Sequence, residues 1–166
     1  MALVLLGQLA GAVPSDGDQG ETAAPDATWI FADAMWVVWE AKSEARPEGE
    51  LGADDVREAN GHLRFVADRR QQAAPGDSVV LLMAPQDRIH PSARAIAEDH
   101  VYRVFATEVV DLLDRLLRAW RTLRTRDLDT LTVTNAAAIF AAEQALPSQW
   151  LPRLRTRRLN QKEALA

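Results

Sequence analysis

Apolar and polar positions change rhythm several times along this chain. Ala2 to Leu9 (ALVLLGQL) is nearly continuous in apolar residues and predicts a short helix. Val13-Pro14 and SDGDQGETAAP come next, rich in Gly, Ser, Asp and Pro with no periodic pattern, which reads as a loop. From Ala27 the residues become aromatic and β-branched. TWIF, then Ala32-Asp33-Ala34, then the run ending MWVVWEAK predict a β-hairpin. Its second strand carries Trp36 and Val38 on one face and Val37 and Trp39 on the other. A strand apolar on both faces belongs in the middle of a sheet with helices on each side.

SEARPEGELGA is a polar link. Asp54 and Asp55 then open a helix running to about Gln72, with Val56, Leu63, Val66 and Ala67 near helical spacing. Pro75-Gly76-Asp77 makes a turn, SVVLLMA a short buried strand, Pro91 opens a short helix, and His100 to Phe105 forms another strand. Thr107 is expected to cap a long helix with Val109, Leu112, Leu113, Leu116, Leu117, Trp120 and Leu123 on one stripe. A last helix is expected from about Thr134 to Leu146, with Pro147 and Pro152 breaking up the chain beyond it. The alternation predicts a single α/β sandwich domain over 1–166, its core about 1–106 and a helical extension about 107–166.

Composition narrows the chemistry. The chain has no cysteine, so disulfides and thiolate metal sites are excluded and any metal must sit on oxygen or histidine. Met1 to Ala12 lacks a basic start and is broken at Gly7 and Gln8, so it reads as a helix and not as a signal peptide. No run approaches the roughly 20 apolar residues of a membrane helix, and a cytoplasmic protein with no membrane partner is expected. The net charge of −5 is unevenly spread: Met1 to Asp114 holds 9 basic and 20 acidic residues, Arg115 to Ala166 holds 10 and 4. An acidic part able to hold divalent cations, followed by a basic part, suits a protein acting on nucleic acid; arginines on solvated helix faces give the same balance.

The candidate chemistry sits on the hairpin. Side chains alternate along a strand, so Glu40 and Lys42 share a face, about 7 Å apart at ~3.4 Å per residue. Charges at the end of an otherwise apolar strand are costly unless they pair or bind metal. With a three-residue loop at Ala32 to Ala34, a common hairpin length, Asp26 stands opposite Glu40. A two-residue loop would set Asp26 against Trp39, on the wrong face. Two carboxylates can hold Mg²⁺ through oxygen, and a neighbouring lysine can stabilise developing phosphoryl charge or orient a water.

Pro25-Asp26 and, after thirteen residues, Glu40-Ala41-Lys42 resemble the signature of the PD-(D/E)XK nuclease superfamily. Ser43 after the lysine and the helix holding VREANGHLRF fit the same resemblance, which covers about Pro25 to Ala84. It implies a restriction-endonuclease-like α/β/α sandwich with a central mixed sheet (αβββαβ core) and added C-terminal helices. It implies Mg²⁺ or Mn²⁺ on Asp26, Glu40 and the Ala41 carbonyl, and Lys42 as the catalytic lysine. The expected activity is hydrolysis of phosphodiester bonds, as a DNA endonuclease domain of a restriction, repair or helicase-linked defence system. The alternative is a catalytically silent nucleic-acid-binding or assembly module. Two departures stand out: only Gly11-Ala12-Val13 can supply the usual strand before the PD, and the first helix offers Gln8 in place of a glutamate. Both are consistent with a domain of a longer parent protein, working with its other domains or as a homodimer.

Nucleic-acid contacts are expected from Ser43, from Arg57, Asn60 and Arg64 on the second helix, and from Arg155, Arg157 and Arg158 in the tail. Arg115, Arg118, Arg121 and Arg124 form a row on the long helix, to be weighed against i,i+4 pairs with Asp111 and Asp114. His62, His90 and His100 have no zinc-ligand spacing, and His62 is expected exposed or capped. Trp29, Trp36, Trp39 and Trp120 are expected in packing, with Trp150 free. Walker, dinucleotide-binding and serine-hydrolase motifs are missing.

Overall fold

A computed structural model describes residues 1–15, 24–32, 34–42, 45–127, 129 and 131–161. In chain order these form α1 (Ala2–Leu9), β1 (Val13–Ser15), β2 (Ala27–Phe31), β3 (Met35–Ala41), β4 (Glu50–Leu51), α2 (Ala53–Arg70), β5 (Val79–Met83), β6 (Arg88–Ile89), α3 (Pro91–Ile96), β7 (Val101–Val104), α4 (Ala106–Arg124), α5 (Val133–Ala142) and α6 (Pro147–Leu154). Among the described residues the main sheet has the order β1-β2-β3-β5-β7, and β4 and β6 pair separately. The first two pairings are antiparallel, and β3, β5 and β7 run parallel. The protein is thus mixed α/β, with a central mixed sheet and β3 in its middle.

The expected alternation along β3 is observed. Val37 and Trp39 enter a core with Trp29, Leu6, Leu112, Leu116 and Trp150, which places α1, α4 and α6 on that face. Trp36 and Val38 enter a second core with Val56, Ala59, Val66 and Ala93, placing α2 and α3 on the other. Gly7 explains the break in the first helix. A Cβ there would lie 2.5 Å from the Trp29 ring, whose Nε1 donates to the Leu3 carbonyl at 2.8 Å. Only glycine lets α1 lie this close to β2.

The hairpin takes the three-residue connection. Ala27 pairs with Trp39 and Phe31 with Met35, and Ala32 turns the chain with φ of 47°. β1 supplies the strand that Gly11-Ala12-Val13 was the only stretch able to provide, two residues further on.

Several expectations need correction. Thr107 lies inside the first turn of α4; the N-cap is Phe105, whose N–H is accepted by Glu108 Oε2 at 2.9 Å. A carboxylate three residues in satisfies this orphan donor better than a threonine two positions late. The last expected helix ends early, and the stretch beyond it, expected to be broken by its prolines, forms a helix of its own. α5 ends at Ala142, and Pro147 opens α6 at a position where proline has no hydrogen bond to lose, with Pro152 carried inside. Trp150 is consequently not free: 2% exposed, it packs edge-on against Trp29 with ring centroids 5.8 Å apart. Trp120 is partly exposed and packs on Phe140, its Nε1 donating to the Leu9 carbonyl.

After α6 the chain returns along β7. Arg103 N–H donates to Arg157 O at 2.8 Å and Leu159 N–H to Val101 O at 3.1 Å. The buried Leu159 anchors this segment in the α2 face of the core. Among the described residues no helix is long and apolar enough to cross a membrane.

Candidate active site

The paired register of β2 and β3 ends with Ala27 opposite Trp39, and Asp26 does not continue it onto Glu40 as the hairpin count predicts. Asp26 bonds instead to the residues on either side of Glu40. Its backbone N–H donates to Trp39 O at 3.0 Å, and its Oδ2 accepts the Ala41 N–H at 2.6 Å. Asp26 therefore brackets Glu40 by bonding to both of its neighbours, while remaining exposed itself. Lys42 extends the β3–β5 ladder by one residue through its N–H to Met83 O.

Glu40 is 6% exposed, and both of its carboxylate oxygens are used. Oε1 lies 2.7 Å from Lys42 Nζ, and Oε2 lies 2.8 Å from His62 Nε2. Lys42 Nζ also meets Glu58 Oε2 at 2.6 Å and Asp55 Oδ1 at 3.8 Å. Burial pushes the Glu40 carboxyl up, but the hydrogen bonds and charges of His62 and Lys42 outweigh it and hold the group below its ordinary value. Burial likewise pulls Lys42 down, and Glu40 and Glu58 together lift it well above the ordinary lysine range. The pair is an ionised carboxylate beside a firmly protonated amine.

His62 corrects the expectation of an exposed or capped histidine. It is 1% exposed, and its Nδ1 has no hydrogen-bond partner among the described residues. Sequence reasoning passed over Glu58, Asp55 and His62 as members of the site. A signal was there: Glu58 and His62 stand four apart on α2 and so share a face.

The other α2 candidates are engaged elsewhere. Asn60 ties α2 to the end of α3, donating to Ile96 O at 2.8 Å and accepting from Glu98 N at 3.1 Å. Arg57 pairs with Asp54, and Arg64 with Asp68 at 3.8 Å, both on exposed side chains. In the tail, Arg155 is the C-cap of α6, Arg157 pairs with Glu108 at 2.7 Å, and Arg158 donates to the Tyr102 hydroxyl at 3.1 Å. On α4 the Arg115–Asp111 pair forms at 2.9 Å, while Arg118 meets Glu143 at the end of α5 at 2.9 Å. Ser43 lies outside the described residues.

Among the described residues no three His, Asp or Glu side chains converge closely enough to hold a metal ion by themselves. Two carboxylates and a backbone carbonyl still suit Mg²⁺ in kind, since this ion is commonly held by one or two carboxylates plus water and substrate phosphate. No protein-family model matches the chain, and neither a curated protein nor a solved structure does.

Proposed function

We propose that this chain is a metal-dependent phosphodiesterase of the PD-(D/E)XK kind, acting on nucleic acid. The observation that supports it most is that Asp26 bonds to both neighbours of Glu40, with Lys42 held 2.7 Å from the Glu40 carboxylate. Asp26, Glu40 and the Ala41 carbonyl would hold Mg²⁺ or Mn²⁺, which when bound polarises a phosphoryl oxygen and acidifies a water. The protein's own contribution is charge placement. Because Lys42 stays protonated, it takes no proton from a water; it presents positive charge to the phosphoryl oxygens as negative charge grows on them. Glu58 and Asp55 would hold that ammonium at the site if Glu40 served a metal, and His62 Nε2 holds the second Glu40 oxygen.

Incubation of plasmid, linear duplex and single-stranded DNA and of RNA with Mg²⁺, Mn²⁺ or EDTA tests the reading. Cleavage is expected with either metal and none with EDTA, and Lys42→Ala should slow it by about 100-fold or more. A lysine variant cutting at the parent rate would end the assignment. Binding with no cleavage under any metal would move the chain to the silent module, a reading favoured by the closure of both Glu40 oxygens.

A further inference from the structure

A pocket of about 430 Å³ opens beside Lys42, at the C-terminal ends of β5 and β7. Its lining includes Met83, Pro85, Phe105, Ala106 and Thr107. In α/β sheets this end of the parallel strands is where ligands sit, and the volume falls within the ~300–1,000 Å³ of small-molecule pockets. Nothing in the phosphodiester chemistry above uses it. Charge placement needs carboxylates and an ammonium, whereas this wall is apolar apart from Lys42 and Thr107. The ring of Phe105 is held by two cations, the Arg103 guanidinium 4.2 Å and the Arg157 guanidinium 5.0 Å from its centroid.

An apolar recess sharing a wall with a phosphate-directed lysine is complementary to a molecule with two unlike parts. A flat, uncharged heterocycle fits the recess, and the phosphodiester attached through its sugar meets the lysine. We infer that the pocket takes one unpaired nucleobase next to the scissile phosphate, so that the substrate is single-stranded nucleic acid. The inference rests on the phosphodiesterase reading of Lys42 and adds the substrate class. A duplex keeps its bases paired and stacked, and would leave the recess empty unless a base were flipped out.

Fluorescence anisotropy with the full chain in EDTA reads binding without cleavage. The probes are a single-stranded oligonucleotide, its duplex, and the same strand with its bases replaced by abasic tetrahydrofuran residues. The single strand is expected to bind about tenfold tighter than either comparison probe. Ala106→Trp, which fills the recess from an exposed position, should abolish that preference with an unchanged melting temperature. Thr107→Trp serves as the second variant if the first fails to fold. Equal affinity for all three probes, or a preference that survives both substitutions, overturns the inference. Duplex cleavage in Mg²⁺ as fast as single-strand cleavage, together with equal binding, defeats the pocket and leaves the phosphodiesterase standing. Preference for bases with no cleavage in Mg²⁺ or Mn²⁺ defeats the phosphodiesterase and leaves the pocket.

Discussion

His62 Nε2 lies 2.8 Å from Glu40 Oε2, and both side chains are almost completely buried. An ionised carboxylate can only accept, so Nε2 carries the hydrogen. Removing it leaves a buried charge one partner short. His62→Ala is expected to lower stability by about 1–3 kcal/mol, and His62→Gln, which can still donate, to recover part of that loss. Urea unfolding of the three proteins measures it. Native stability in the alanine variant would mean that solvent replaces the histidine.

Stability should form a plateau in pH whose two ends belong to this same site. The Glu40 pKa is depressed from 4.5, so its contribution is present above that value and is lost as pH falls through the lower, folded one. The Lys42 pKa is raised from 10.5, so its contribution is present below that value and is lost as pH rises through the folded one. Thermal unfolding across acid and alkaline pH should show Lys42→Met with a lower plateau and a shallower alkaline fall. An alkaline limb identical to the parent's would place its origin in other groups.

Asp26 separates charge from structure. Its Oδ2 accepts the Ala41 N–H, a role that the carbonyl of asparagine can keep. Asp26→Asn should therefore lose most metal affinity and at least about 100-fold in cleavage rate, with stability changed by less than about 1 kcal/mol. Asp26→Ala should add the loss of the hydrogen bond. Isothermal titration with Mn²⁺ beside a melting curve distinguishes the two, and full cleavage by the asparagine variant would remove Asp26 from the mechanism.

Packing on the other face of the sheet predicts two large stability effects with no direct contact to the site. Gly7→Ala drives a methyl group into the Trp29 ring and should cost about 1–3 kcal/mol. Trp150→Ala empties a fully enclosed position and should cost about 3–5 kcal/mol. Chemical denaturation decides both; a loss under about 1 kcal/mol for Trp150→Ala would contradict its enclosure.

The hairpin was the most legible part of the chain because alternation leaves little freedom. Once Trp36 and Val38 face one core and Val37 and Trp39 the other, Glu40 must follow Val38, and loop length sets the pairing as far as Ala27 and Trp39. Beyond that pair Asp26 bonds to Trp39 O, which counting along the hairpin could not foresee. The α2 side of the site was harder to read because its buried stripe runs through Val56, Ala59, His62 and Val66. Leu63, next to His62, offers a similar period in apolar residues alone, and following it turns the helix by one residue. Trp150 was obscured by two prolines that read as breakers: Pro147 sits in the first turn of α6, where it is compatible with a helix, and Pro152 is carried in its interior. β4 and β6, two residues each, are too short to carry any period.

The segment after α6 does more than trail from the fold. By bonding to Val101 and Arg103, with Arg158 bridged to Tyr102, it covers the outer rim of β7 with the molecule's own backbone. A chain cut short after Leu154 would retain Asp26, Glu40 and Lys42 yet expose a bare row of amides and carbonyls to its neighbours. Self-association through that rim, seen as growing light scattering at rising protein concentration, is the phenotype such a truncation should show.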